Sequence, residues 1–156
     1  MKYERYTNMN KLNTMFLAEY NNLDEVCKAK FKTEEDGIGK YLAEMDKASE
    51  EKKHVSVWED DYHTLNKCVH IYNVIMLHDN KLRKPQCTKQ DVAWLKKFAS
   101  RVEKDSDAVA KLAKYKETVA KVKETLEKAR PVATNIAVGC GVALAMSVIF
   151  GKKKDK

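Results

Sequence analysis

The chain has 156 residues, of which 34% are charged and 44% hydrophobic, with a formal net charge of +7. That length suits one globular domain plus an extension. The basic excess is uneven: residues 1–104 hold 19 Lys/Arg against 17 Asp/Glu, and residues 105–156 hold 11 against 6. A basic excess gathered around an apolar tail points to anionic lipid headgroups and away from a nucleic-acid groove. The plainer alternative is a solvated helix face and a solubilising tail.

Two prolines and five glycines leave few breaks, so the chain is expected to be all-α. The first periodic segment runs from Met9 to Phe31, with Leu12, Phe16, Leu23, Cys27 and Phe31 on one face and Met15, Tyr20 and Val26 beside it. Residues 33–39 read as a turn, followed by a short helix with Ile38, Tyr41, Leu42 and Met45 on one side. Residues 49–54 read as a polar loop. A helix from Trp58 to His78 carries a stripe of Trp58, Tyr62, Leu65, Val69, Tyr72 and Met76, widened by Cys68, Ile71 and Ile75. So wide an apolar arc predicts the middle of a bundle.

Pro85 marks a break, and Thr88 with Asp91 forms a capping-box start for a helix facing inward through Val92, Leu95, Phe98 and Val102. Asp105 and Asp107 mark a boundary. Beyond it, Ala108, Leu112, Tyr115, Val119, Val122, Leu126 and Ala129 alternate spacings of four and three, a weak heptad seam. The expected organisation is a helical bundle over 1–104, an amphipathic stalk over 105–130, a membrane anchor over 131–151 and a basic tail over 152–156.

Residues 132–150 contain no charged side chain. Nineteen helical residues span about 28 Å, close to the roughly 30 Å hydrocarbon core. The run predicts a single spanning helix with Val132, Ile136, Gly141, Leu144 and Phe150 in lipid; a buried core helix and an interfacial helix are the alternatives. Lys128 and Arg130 before it, and Lys152, Lys153 and Lys154 after it, suit headgroup contact by snorkelling. Ala133, Ala137, Gly141 and Ala145 recur every four residues, a spacing that lets helices approach closely in lipid. Together with the seam, they predict weak homo-oligomerisation; the alternatives are that small residues are simply frequent in membrane helices and that the seam folds back on the bundle. No apolar N-terminal stretch resembles a secretory signal, so the N-terminal domain is expected on the cytoplasmic side of a single-pass membrane protein.

No metal or cofactor is implied. His54, His63, His70 and His78 lack ligand spacing, and no phosphate loop or nucleophile elbow occurs. Cys27, Cys68, Cys87 and Cys140 are scattered without a CxxC, which suits inert thiols in a reducing compartment.

The segments Trp58–Leu65, Ile71–Asp79 and Cys87–Leu95, with Met9–Leu12, Glu19–Asp24 and Gly37–Tyr41, resemble an uncharacterised family of small bacterial helical domains over residues 9–104. The core of that pattern is similar to the Arg-Asn…His signature of HEPN domains, the helical fold of many toxin and defence ribonucleases. The resemblance implies an Arg and a His acting on an RNA phosphate. His78 matches the histidine and Asn73 the asparagine, but Tyr72 stands in the arginine's place and one extra residue precedes His78. Tyr supplies no fixed positive charge to the transition state. The resemblance therefore implies a HEPN-like scaffold with a weakened site, and RNA as partner only if that site works. The architecture of residues 105–156 looks like that of tail-anchored bacterial membrane proteins. The expected function is a non-enzymatic anchored protein that presents a helical domain to an unidentified protein partner.

Overall fold

The computed structural model describes residues 9–78 and 83–129. All regular elements among these residues are helical: α1 (Lys11–Phe31), α2 (Gly37–Asp46), a 3₁₀ helix (Glu50–His54), α3 (Trp58–Leu77), α4 (Lys89–Glu103) and α5 (Ala108–Lys128). The 3₁₀ helix replaces the loop expected over 49–54. The expected anchor 131–151, the tail 152–156 and Arg130 lie outside the described residues. Among the described residues, no helix is long and apolar enough to cross a membrane. Two compact units divide the chain, residues 1–111 and 112–156, so the break falls within α5.

In the first unit, α1 is the helix against which the others assemble. It starts at Asn10, whose side chain accepts a hydrogen bond from the Leu12 N–H at 2.9 Å. Phe16, Leu23 and Cys27 are fully buried on one face. α1 packs most extensively against α4 and α2. The central place expected for the third helix thus belongs to the first. Met15, expected beside the stripe, is 46% exposed.

The buried stripe of α3 is also rotated from its expected position. Trp58, Asp61, Leu65, Cys68, Ile71 and Ile75 face inward, whereas Met76 is 48% exposed. An acidic residue, Asp61, occupies a core position that the apolar pattern could not reveal.

α2 begins in close contact with α1. A Cβ on Gly37 would overlap the Asp24 carbonyl oxygen and the Lys28 backbone nitrogen. The absence of that atom lets the Ile38 N–H donate to the Asp24 carboxylate at 3.0 Å. α4 starts as read from sequence, with the Thr88 side chain accepting from the Asp91 N–H and the Asp91 side chain accepting from the Thr88 N–H. Leu95 and Phe98 complete the core from this helix.

The second unit, among described residues, is the remainder of α5. Its exposed face carries Glu117–Lys121 and Glu124–Lys128 pairs four residues apart. Glu N-terminal to Lys is the orientation that supports a helix. Tyr115, Val119, Val122 and Leu126 are intermediate in exposure and run along one seam.

Candidate functional site

The structure separates the residues expected to form a catalytic site. Tyr72 is half-buried and stacks on Tyr20, with ring centroids 4.2 Å apart and planes 11° apart. Asn73 and His78 are exposed, and His78 caps the C-terminal end of α3. At about 100° per residue, five residues put Asn73 and His78 roughly 140° apart around the helix axis, so they do not share a face. The nearby cation Lys67 donates instead to Asp91 at 2.7 Å. His70 is exposed on another turn. Among the described residues, no group of three or more His, Cys, Asp or Glu side chains is placed to hold a metal ion.

Polar chemistry inside the bundle is concentrated in four nodes that link elements far apart in sequence. Asp107, fully buried, caps α5 by accepting from the Val109 and Ala110 N–H groups at 3.1 and 3.2 Å. It also accepts from the Tyr41 hydroxyl at 2.7 Å and the Lys30 ammonium at 3.1 Å. Burial, then the Asp107 charge, drives the Tyr41 phenol far above its ordinary range. Burial alone would lower Lys30, but Asp105 and Asp107 outweigh it and hold the ammonium above its usual value.

The second node joins α3 to α4. Arg101 donates through both terminal nitrogens to the buried Asp61 carboxylate, each bond 2.8 Å. Its guanidinium lies 5.0 Å from the Phe98 ring centroid, and that ring stacks on Trp94. The fork geometry and the aromatic face both suit Arg over Lys. The third node is Asp91, which accepts from Lys67 and Thr88. Burial would raise this carboxyl, but those hydrogen bonds hold it below the ordinary carboxylate range. The fourth is Asn13, fully buried, which donates to the Lys84 carbonyl at 3.0 Å and accepts from the Gln86 N–H at 2.8 Å. Every buried side-chain N or O atom among the described residues has a hydrogen-bond partner.

Only the Thr88–Asp91 capping box was recognisable in the sequence. No motif singled out Asp61, and Asp107 read as a boundary marker. Their partners Arg101 and Lys30 lie 40 and 77 residues away.

The surface feature that could receive a partner is a groove along α1 and α4. Towards the end of both helices it is an open cavity of about 520 Å³, lined by Glu25, Val26, Ala29 and Lys30 on one side and Val102 and Glu103 on the other. A second depression of about 420 Å³ lies between the same helices, lined by Ala18, Glu19 and Asn22 opposite Lys96, Ala99 and Ser100. Small side chains line the groove together with carboxylates and with Lys30 and Lys96. No sequence motif marks it, because it depends on which two helices pack together. Lys128, expected at headgroups, is exposed and bridges to Glu124 at 2.6 Å. Arg130, Lys152, Lys153, Lys154 and the residues of the expected lipid and helix-packing faces lie outside the described residues.

Among the described residues these features define an all-helical bundle whose buried polar side chains are all hydrogen-bonded, with an open groove between α1 and α4. The chain belongs to a family of unknown function (DUF6548), which it matches over residues 14–143. That match runs from α1 through α5 and into the apolar run. No curated protein and no solved structure matches the chain.

Proposed function

We propose that this protein is a non-enzymatic, tail-anchored module whose helical bundle offers an interaction surface at the cytoplasmic face of a membrane. The observation that carries the reading is a contrast within the bundle. Asp61, Asp91 and Asp107 are already engaged by Arg101, Lys67 and Lys30, while the α1–α4 groove stands open. Acid–base chemistry needs a group held ready for substrate, and these carboxylates are committed to structure. The membrane part of the reading rests on the uncharged run 132–150 and its lysine-rich flanks. Fractionation tests it: the full chain is expected to stay with membranes through alkaline carbonate extraction, and a chain ending at Arg130 is expected to be released. Equal release of both would sink the anchor.

Weak self-association belongs to the same proposal, through the α5 seam and through Ala133, Ala137, Gly141 and Ala145. Gly141→Leu should reduce crosslinking between copies in a bilayer if the small-residue stripe contributes.

A second reading, an RNA-acting effector on a HEPN-like scaffold, draws on the exposure of Asn73 and His78, which leaves both reachable by RNA. Incubating RNA with the protein and with His78→Ala separates the two. Cleavage lost in the variant would favour the effector; no cleavage by either favours the non-enzymatic module.

A further inference from the structure

The turn between α4 and α5 holds a charge where such turns usually hold a glycine. α4 ends in a Schellman motif: the Ser106 N–H donates to the Arg101 carbonyl at 2.9 Å and the Asp105 N–H to the Val102 carbonyl at 3.2 Å. The residue at the glycine position of this motif is Asp105, with φ 49°, a left-handed conformation that carries a steric cost for any side chain with a Cβ. Two residues on, the fully buried Asp107 caps α5 through the Val109 and Ala110 N–H groups.

One ammonium spans both carboxylates. Lys30 donates to Asp105 at 2.8 Å and to Asp107 at 3.1 Å, so the two acids are no farther apart than those bonds laid end to end. Like charges this close repel, and burial disfavours the charged form of Asp107 further. The Tyr41 hydroxyl and the two N–H groups that reach Asp107 are neutral donors, whereas Lys30 brings a full positive charge. The apolar hold on the first turn of α5 is slight, because its buried side chains, Ala108 and Ala110, are single methyl groups. The first compact unit ends at Lys111, at the end of this same turn. Lys30 also lines the open cavity between α1 and α4, with 15% of its side chain exposed, so water reaches it without unpacking the bundle.

We propose that the α4–α5 turn is a joint that opens on its own, and that the Lys30 ammonium is the latch that keeps it shut. In the open state Asp107 lets go of the Val109 and Ala110 N–H groups, both carboxylates reach water, and Asp105 leaves the left-handed region. The packing of α1 to α4 is kept. The root of α5 is thereby coupled to one charge on α1. The joint goes beyond the interaction surface proposed above and does not depend on a membrane anchor.

Amide hydrogen exchange on the full-length protein in detergent micelles tests it. In the parent, the Val109 and Ala110 amides should exchange faster than those of Leu23 and Leu95, near the centres of α1 and α4, and should depend less on added urea, the mark of a local opening. Lys30→Met should speed exchange at Val109 and Ala110 by about tenfold or more, with a change below about threefold at Leu23 and Leu95. Adding Asp105→Asn removes the repulsion and keeps a residue that tolerates the left-handed conformation, so it should reverse most of that gain. Three results overturn the proposal. One is a single urea dependence for all four amides in the parent, which means that the cap opens only when the bundle unfolds. The second is a Lys30→Met variant that leaves Val109 and Ala110 unchanged or speeds all four amides alike. The third is a double variant that exchanges as fast as Lys30→Met. The first of these is read on the parent alone, whether or not Lys30→Met folds.

Discussion

The Tyr41 hydroxyl donates a 2.7 Å hydrogen bond to Asp107, joining the middle of α2 to the first turn of α5 across 66 residues of chain. The same carboxylate satisfies two backbone N–H groups and the Lys30 ammonium. One buried side chain thus accepts from four donors, of which the Lys30 ammonium also reaches Asp105 at 2.8 Å. Asp107→Ala should destabilise the bundle by about 2–5 kcal/mol, because it removes the α5 cap and the acceptor of the buried Tyr41 hydroxyl, while Lys30 keeps Asp105. Tyr41→Phe removes one bond to a charged acceptor and should cost about 1.5–3 kcal/mol. Urea unfolding followed by circular dichroism checks both. Equal costs would mean that Lys30 and the cap contribute little.

Gly37 permits a close backbone approach between α1 and α2. Its φ is not positive, so the constraint is space and not conformation. Gly37→Ala would push α2 away from Asp24 and Lys28 and stretch the Ile38–Asp24 bond. The expected cost is about 1–3 kcal/mol, the range for overpacking a filled site. A thermal midpoint unchanged from the parent would show that α2 can shift freely.

Asp91 gives the bundle a defined acid sensitivity. Its carboxyl is held below its ordinary value of 3.8 by Lys67 and Thr88, against the opposing effect of burial. A depressed folded value favours the folded state above the unfolded value, and that contribution is lost as pH falls through the folded value. Stability from this site should therefore hold from neutral pH down to about 4 and decline below it. Asp91→Asn should be less stable at neutral pH and should show a shallower acid slope. Denaturant titrations at a series of pH values between 2 and 7 give the comparison.

The three described thiols should resist modification in the folded protein. Burial pushes Cys27 and Cys68 up to about 12 and Cys87 up to about 11, so almost no thiolate is present near neutral pH. In a Cys140→Ser variant, a thiol reagent at pH 8 should react only as the chain unfolds in guanidinium. Rapid labelling of the native protein would contradict the burial of these side chains.

Local signals made much of this fold legible. The all-helical class, the first helix, read from Met9 to Phe31, and the Thr88–Asp91 start of α4 follow from four-residue spacings and from side chains that bond within a few positions. The inward faces of α1 and α4 were likewise readable through Phe16, Leu23, Leu95 and Phe98. On α3, Trp58, Leu65, Cys68, Ile71 and Ile75 were readable too, but the centre of the stripe was misplaced, because an apolar pattern scores Met76 as interior and Asp61 as exterior. The candidate catalytic trio could be named from Tyr72, Asn73 and His78, but their divergence around α3 and the Tyr20–Tyr72 stack appear only when the helices are assembled.

The sequence by itself determined the helical class, the capping of α4, the alternating seam on α5 and the uncharged run after Pro131. Each depends on neighbours within about a turn, or on composition. Tertiary structure alone decided that α1 is the organising helix and that Asp61, Asp91 and Asp107 are buried. It also decided that the groove lies between α1 and α4. A buried carboxylate is tolerable only beside its cation, and Arg101, Lys67 and Lys30 reach theirs across 24 to 77 residues of chain. No local pattern records which distant cation a carboxylate will meet. That pairing is fixed when the helices pack.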